Sequence, residues 1–155
     1  MSRRIVARRS PIHGYGVFAL RAIDAGEQII QYKGMLMTHA EADALYGDDG
    51  EHGYTLLFTL NDTYIIDGGR KGNSSRWINH GCMPNCHALL KESPSNDRRR
   101  DKVVIEAIRR IEPGEELTYD YGITLNVPHT AWLKKRWTCH CGAPHCSGTL
   151  LKQKT

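Results

Sequence analysis

At 155 residues, with 40% hydrophobic and 25% charged side chains, the chain is long enough for one domain with its own core and too short for two. No apolar run approaches the eighteen or so residues a spanning helix needs, which excludes that class. The formal charge of +4 is a small excess, and Arg98, Arg99 and Arg100 stand beside Ser93, Pro94, Ser95 and Asn96 in what reads as a solvated loop, so no direct nucleic-acid binding is expected.

In chain order, the N-terminal "MSRRIVARRS" is basic but lacks the apolar core and small-residue cleavage site of a secretory signal. "GYG" at residues 14–16 has no third glycine at dinucleotide-site spacing; alone it reads as a turn requiring positive φ. "EQIIQYKG" is the first predicted strand. "THAEADALYG" predicts a short helix, with Thr38 as N-cap, Glu41 completing a capping box and Gly47 as the stop. "YTLLFTL" and "TYIIDGG" predict two strands about a turn at Asn61 and Asp62, followed by strands "KVVIEAI" and "EELTYDYG", the last introduced by a Pro113–Gly114 turn. A second short helix is expected after Pro128, ending near Trp137. The chain is therefore read as mainly β.

Two segments carry chemistry. "RWINHGCMPNC" (residues 76–86) places Asn79, His80, Cys82 and Cys86 close together, and "CHCGAPHC" adds Cys139, Cys141 and Cys146 in a C-x-C-x4-C spacing. Five cysteines clustered in two short segments fit metal ligation better than a disulfide framework, and suggest a reducing compartment. The three tail thiols are one short of a tetrahedral zinc set, with His80, His140 and His145 as rival ligands to a cysteine.

Taken in order, "GYG", "YKG", "RWINHGCMPNC", "GEELTYDYG" and "CHCGAPHC" closely resemble the SET-domain protein lysine methyltransferases with a cysteine-rich post-SET tail, from about Arg4 to Leu151. The resemblance implies a SET-domain fold of small β-sheets with a threaded, knot-like C-terminal segment, one or two short helices and a post-SET zinc tail. It implies a SET domain over residues 1–124 and a tail over 125–155, together one catalytic unit. One structural zinc ion would be held by Cys82, Cys139, Cys141 and Cys146, since four thiolates leave no open position. Cys86 is then a buried free thiol, and His140 and His145 belong to a solvated turn.

The resemblance further implies S-adenosylmethionine as methyl donor. Asn79 and His80 would bind it largely through the backbone, Asn79 adding its side chain, with Arg76 near its carboxylate and the backbone of Tyr15 and Gly16 closing another side. Tyr121 is the expected principal catalytic tyrosine, Tyr54 a second tyrosine of the lysine channel and Tyr119 a gate favouring monomethylation. The nucleophile must be a neutral amine; a lysine pKa near 10.4 has to be lowered by an apolar channel and the nearby sulfonium. The sequence departs from the family at Gly81, where serine is common, and at Gln31 and Met35, where acidic residues are preferred. These leave open a catalytically weak SET module that binds a lysine peptide. The expected partner is a lysine-containing protein, histone, ribosomal or DNA-packaging, in basic context because Asp48, Asp49 and Glu51 cluster in "YGDDGEHGY". The expected setting is soluble and intracellular, in the cytoplasm, or in the nucleus if the substrate is chromatin, with no membrane partner.

Overall fold

The computed structural model describes residues 3–47, 54–123, 127–141, 143–144 and 146–152. Among them are strands β1 (Ile5–Arg9), β2 (Tyr15–Ala19), β3 (Gln28–Tyr32), β4 (Met35–Thr38), β5 (Leu57–Thr59), β6 (Tyr64–Asp67), β7 (Asn79–His80), β8 (Cys86–Lys91), β9 (Lys102–Ala107) and β10 (Thr118–Tyr119), with helices α1 (His39–Tyr46) and α2 (Ala131–Arg136). They form four small sheets: β1-β2, β3-β9-β8, β4-β6-β5, and a parallel pair of β7 with β10. The mainly β architecture expected from the sequence is the one found. The parallel pair sets Asn79 opposite Thr118 and His80 opposite Tyr119, joining the two segments that the resemblance requires to cross.

The core follows from strand alternation. Val103, Ile105 and Ala107 of β9 point inward and are buried, as a period of two requires. Ile105 and Ala107 pack with Val17, Ile23, Ile78, Ile111, Leu117 and Tyr119 into the main cluster, and Val103 joins Tyr32, Leu60 and Ile66 in a second. At the start of α1 the Thr38 hydroxyl accepts from the Glu41 amide while the Glu41 carboxylate accepts from Thr38, and Gly47 caps the end at φ +82°, as predicted. Thr130 caps α2, from which Leu133 and then Trp137 reach Leu151 to form a separate small core under the tail.

Several elements differ from the sequence reading. The β1-β2 hairpin went unread because β1 ends in two exposed arginines and its apolar face is short. The strand expected over "YTLLFTL" is only Leu57–Thr59. Ahead of it, Leu56 turns its carbonyl to accept from the Tyr32 hydroxyl at 2.7 Å and the Gly68 amide at 2.8 Å, bonds that take it out of a ladder. The turn at Asn61 is as expected, its side-chain oxygen accepting from the Thr63 and Tyr64 amides. Gly14 adopts the positive φ predicted for "GYG", whereas Gly16 lies inside β2 at an ordinary φ. Gly16 is small for another reason: a Cβ there would fall 2.2 Å from the Glu116 carboxylate.

Candidate active site

A short 3-10 turn, Ser74–Trp77, delivers the chain into β7; Asn73 caps it by accepting from the Ser75 amide. Asn79 then ties three segments together. Its amide nitrogen lies 2.8 Å from Glu116 Oε2, 3.1 Å from the Tyr15 carbonyl and 3.2 Å from both the His13 carbonyl and Ser10 Oγ. Ser10 in turn donates to Glu116 at 2.8 Å. Buried polar groups must be satisfied in this way, and the close approach of Glu116 depends on the bare α-carbon of Gly16.

His80 is buried between the strands and the tail. The Tyr121 amide donates to its Nδ1 at 3.1 Å. A backbone N–H can only donate, so Nδ1 accepts, and the ring proton of neutral His80 sits on Nε2, 3.7 Å from Cys82 Sγ. Burial pushes the imidazole pKa below its usual value, opposed by the Asp120 carboxylate. The ring meets Tyr121 edge-on, with centroids 5.3 Å apart.

Tyr121 donates its hydroxyl proton to the Ile78 carbonyl at 2.5 Å. Its ring stands 4.9 Å from that of Tyr119, which faces Phe58 at 6.2 Å. Burial raises the pKa of both phenols above the ordinary tyrosine value. Two cavities meet here. One, of about 310 Å³, is lined by His13, Asn79, His80, Arg136 and His140; the other, of about 330 Å³, by Tyr54, Phe58, Ile65 and Tyr119. Thr55, Tyr121 and Trp137 belong to both walls.

Tyr54 lines the second cavity with its ring while its hydroxyl donates to Asp67 Oδ1 at 2.8 Å. Asp67 is wholly buried and also accepts from the Tyr46 hydroxyl and the Gly69 amide. The Tyr46 and Tyr54 rings stack at 4.7 Å, and burial raises the Tyr54 pKa. Tyr15, Gly16 and Arg76 stand outside both cavity linings. The guanidinium of Arg76 lies over the Trp77 ring at 4.6 Å, and its Nε is buried with no hydrogen-bond partner among the described residues. Asp48, Asp49, Glu51 and His145 lie outside the described residues.

Sequence reasoning did not find His13, Thr55, Arg136 and Trp137 as wall residues, and it gave His140 to a solvated turn. His140 is exposed, in keeping with that reading, and its ring in addition stacks on His13 at 5.2 Å and 10° on the rim of the first cavity. Its only signal was its place between two candidate ligands. Gly81 has a packing reason. A Cβ there would lie 2.8 Å from the Thr118 side chain, and the Gly81 amide donates to the Tyr119 carbonyl at 3.2 Å, so glycine keeps β10 close.

The sulfurs of Cys82, Cys139, Cys141 and Cys146 all lie within 4.8 Å of one another. Cys82 is 3.8 Å from both Cys139 and Cys146. Tetrahedral zinc with bonds of about 2.3 Å separates its sulfurs by about 3.8 Å, so the set fits the ion. The Ala143 amide donates to Cys141 Sγ at 3.5 Å and the Gly148 amide to Cys146 Sγ at 3.4 Å, bonds that favour thiolates. Cys86 lies outside this set, fully buried, and burial pushes its thiol up to about 12.

A family model described as the SET domain matches residues 14–122. Human "Histone-lysine N-methyltransferase 2B" is 37% identical over 141 residues, 89% of this chain and 5% of the human protein. The Saccharomyces cerevisiae "Histone-lysine N-methyltransferase, H3 lysine-4 specific" is 39% identical over 149 residues, 94% of this chain and 13% of the yeast protein. Drosophila melanogaster "Histone-lysine N-methyltransferase trithorax" is 34% identical over 141 residues, 89% of this chain and 3% of the fly protein. The chain thus spans a small part of the length of these curated relatives.

Proposed function

This chain belongs to the SET-domain family, and from that membership we propose that it is a protein-lysine N-methyltransferase using S-adenosylmethionine. The observation that carries the reading is Tyr121, a wall residue common to two cavities, one beside the Asn-His segment and one lined by aromatic side chains. Relatives named as histone-lysine N-methyltransferases, one of them H3 lysine-4 specific, favour a histone or histone-like protein as substrate and a chromatin setting. Among the described residues no helix is long and apolar enough to cross a membrane.

The donor supplies an electrophilic methyl group. The backbone of Asn79 and His80 offers polar contacts on the first cavity, and Arg76, outside that lining, has an Nε without a partner among the described residues that suits an anionic carboxylate. Cys82, Cys139, Cys141 and Cys146 would hold the zinc, which closes the tail over that cavity and takes no part in the chemistry. On the other side, Phe58, Tyr119 and Tyr121 form a wall that disfavours an ammonium and lowers the lysine pKa. Tyr121 has a phenol that burial keeps neutral, so it does not take the amine proton into bulk solvent as a base. Its single proton is given to Ile78, leaving oxygen lone pairs to accept an amine N–H and aim the nitrogen lone pair at the methyl carbon.

Label transfer from methyl-tritiated donor to core histones and free basic peptides, with the sites mapped by mass spectrometry, tests the assignment. Donor binding without any transfer would instead support a lysine-peptide binding module.

Tyr119 is proposed as the gate that holds the product at monomethyl-lysine. Its hydroxyl has no hydrogen-bond partner among the described residues, and its ring lines the aromatic cavity, so the hydroxyl can hold a water in the space a second methyl needs. Tyr119→Phe should therefore keep activity and shift product toward dimethyl-lysine. A tenfold faster second transfer needs only about 1.4 kcal/mol. Because no protein hydrogen bond is lost, the stability cost should stay under about 1 kcal/mol. Intact-mass time courses decide; dimethyl-lysine dominating early in the wild type would remove Tyr119 from this role.

Gly16→Ala has a related expectation. The added methyl must displace the Glu116 carboxylate, the flexible end of a side chain, so the fold should survive while Asn79 loses its nearest partner. Donor affinity measured by calorimetry should fall about tenfold or more, with the melting temperature little changed; unchanged affinity would show that the Glu116–Asn79 tie does not support the donor site.

A further inference from the structure

The segment "YIIDGG" does more than end a strand. Its aspartate, Asp67, closes β6 wholly buried, and no step of the chemistry above uses it. A carboxylate taken out of water is costly unless it is paired and hydrogen-bonded. Asp67 meets that condition. Its Oδ1 accepts from the Tyr54 hydroxyl at 2.8 Å and the Gly69 amide at 3.0 Å, and its Oδ2 accepts from the Tyr46 hydroxyl, with the half-exposed Arg70 guanidinium 3.6 Å away.

The two phenol donors come from different parts of the chain and converge on one wall. Tyr46 is the last residue of α1, and its ring stacks on that of Tyr54. Tyr54 in turn lines the aromatic cavity with Phe58, Tyr119 and Tyr121. The glycines after Asp67 make room for this. A Cβ on Gly69 would collide with the Tyr54 hydroxyl, and one on Gly68 with the hydroxyl of Tyr32, whose ring leans on Phe58 at 5.1 Å. The Asp-Gly-Gly corner therefore receives the outer ends of two phenols, and both rings bear on the cavity, Tyr54 directly and Tyr32 through Phe58. A satisfied buried polar network of this kind makes its surroundings rigid.

We propose that Asp67 is a positioning residue of the lysine channel: by fixing the Tyr54 hydroxyl behind the wall, it makes Tyr54 present its ring to the substrate side chain. This rests on the methyl-transfer reading of the aromatic cavity. Tyr54 then differs in role from Tyr121. Its hydroxyl is committed to Asp67 and sets the shape of the channel, whereas Tyr121 stands where the two cavities meet. A channel wall is used alike when lysine binds and when it reacts, so its loss raises KM more than it lowers kcat.

The test is steady-state methyl transfer by the zinc-loaded protein to a fluorescein-labelled peptide of the histone H3 N-terminus, with peptide affinity read by anisotropy and donor affinity by calorimetry. Asp67→Ala, Tyr54→Phe and Gly69→Ala should each lower kcat/KM about tenfold, mainly through KM, with peptide Kd rising in step and donor Kd within about twofold of wild type. Gly69→Ala removes no polar atom and acts only by pushing a rigid phenol off its anchor. The double change Asp67→Ala and Tyr54→Phe should be no worse than either alone, since both remove one tie. Asp67→Asn should stay within about threefold of wild type. The Gly69 amide can only donate, so the new amide oxygen stays at the Oδ1 position and still accepts from Tyr54, while its NH2 faces Tyr46, whose hydroxyl can turn to accept. Unchanged peptide affinity in the three single variants, additive losses in the double change, Asp67→Asn no better than Asp67→Ala, or an equal loss of donor affinity would overturn the proposal. If Asp67→Ala does not fold, Gly69→Ala and Tyr54→Phe carry the test. A wild type that binds the peptide and transfers no methyl fails the transferase reading alone, and the peptide affinities then decide the role of Asp67; one that binds no peptide removes both.

Discussion

Tyr121→Phe is expected to lower methyl transfer by at least about a hundredfold, or about 2.7 kcal/mol of transition-state stabilisation, while leaving the donor bound. The change removes the only atom that both fixes the ring against Ile78 and faces the cavity junction. It also leaves the Ile78 carbonyl, on a residue 1% exposed, without its partner, at a cost of about 1–3 kcal/mol to the fold. Because the phenol is neutral and held so by burial, what is lost is orientation. The deficit should therefore persist at high pH, where a free lysine is itself neutral, whereas the loss of a general base would be rescued there. Single-turnover rates across pH, with donor affinity measured in parallel, separate the two. A rate within tenfold of wild type at every pH would remove Tyr121 from the reaction.

Cys82→Ser is expected to lose zinc as completely as Cys139→Ser, although 57 residues separate the two positions. Elemental analysis should give about one zinc per wild-type chain and almost none in either variant, while Cys86→Ala, outside the cluster, should retain it. The tail has little else to hold it, since its own core is Leu133, Trp137 and Leu151 with a few half-buried neighbours. Loss of the metal should therefore release Trp137 and His140 from the first cavity and abolish donor binding, with the β-sheets intact by circular dichroism. Full zinc occupancy in Cys82→Ser would dissolve the proposed link between the Asn-His segment and the tail.

The parts of this molecule legible in the sequence were those governed by local rules. The α1 capping box, the Asn61 turn and the positive φ of Gly14 each follow from one residue or from near neighbours in sequence, and each is found. The cysteine spacing was equally readable, and the four sulfurs do converge. What was not legible depended on distant approach. Nothing local to Tyr54 says that its hydroxyl will turn to Asp67, or that Gly69 leaves room for it there, since an added Cβ would lie 1.9 Å from that hydroxyl. Nothing near His140 announces His13, more than a hundred residues earlier. Strand lengths failed for a similar reason, since β10 is two residues long and is defined by its partner rather than by its composition.

That two-residue pair has a consequence for how the protein comes into being. Joining Thr118 to Asn79 closes a loop of about 39 residues, an entropic cost of about 3 kcal/mol by chain statistics, against the few hydrogen bonds of a minimal ladder. The pair cannot persist until the surrounding sheets have formed, so it belongs among the last events of folding. On the ribosome this means that a nascent chain, even one that has exposed the Asn-His segment and every residue before it, has no junction between the two cavities. The junction forms only once Tyr121 and the tail have emerged and docked.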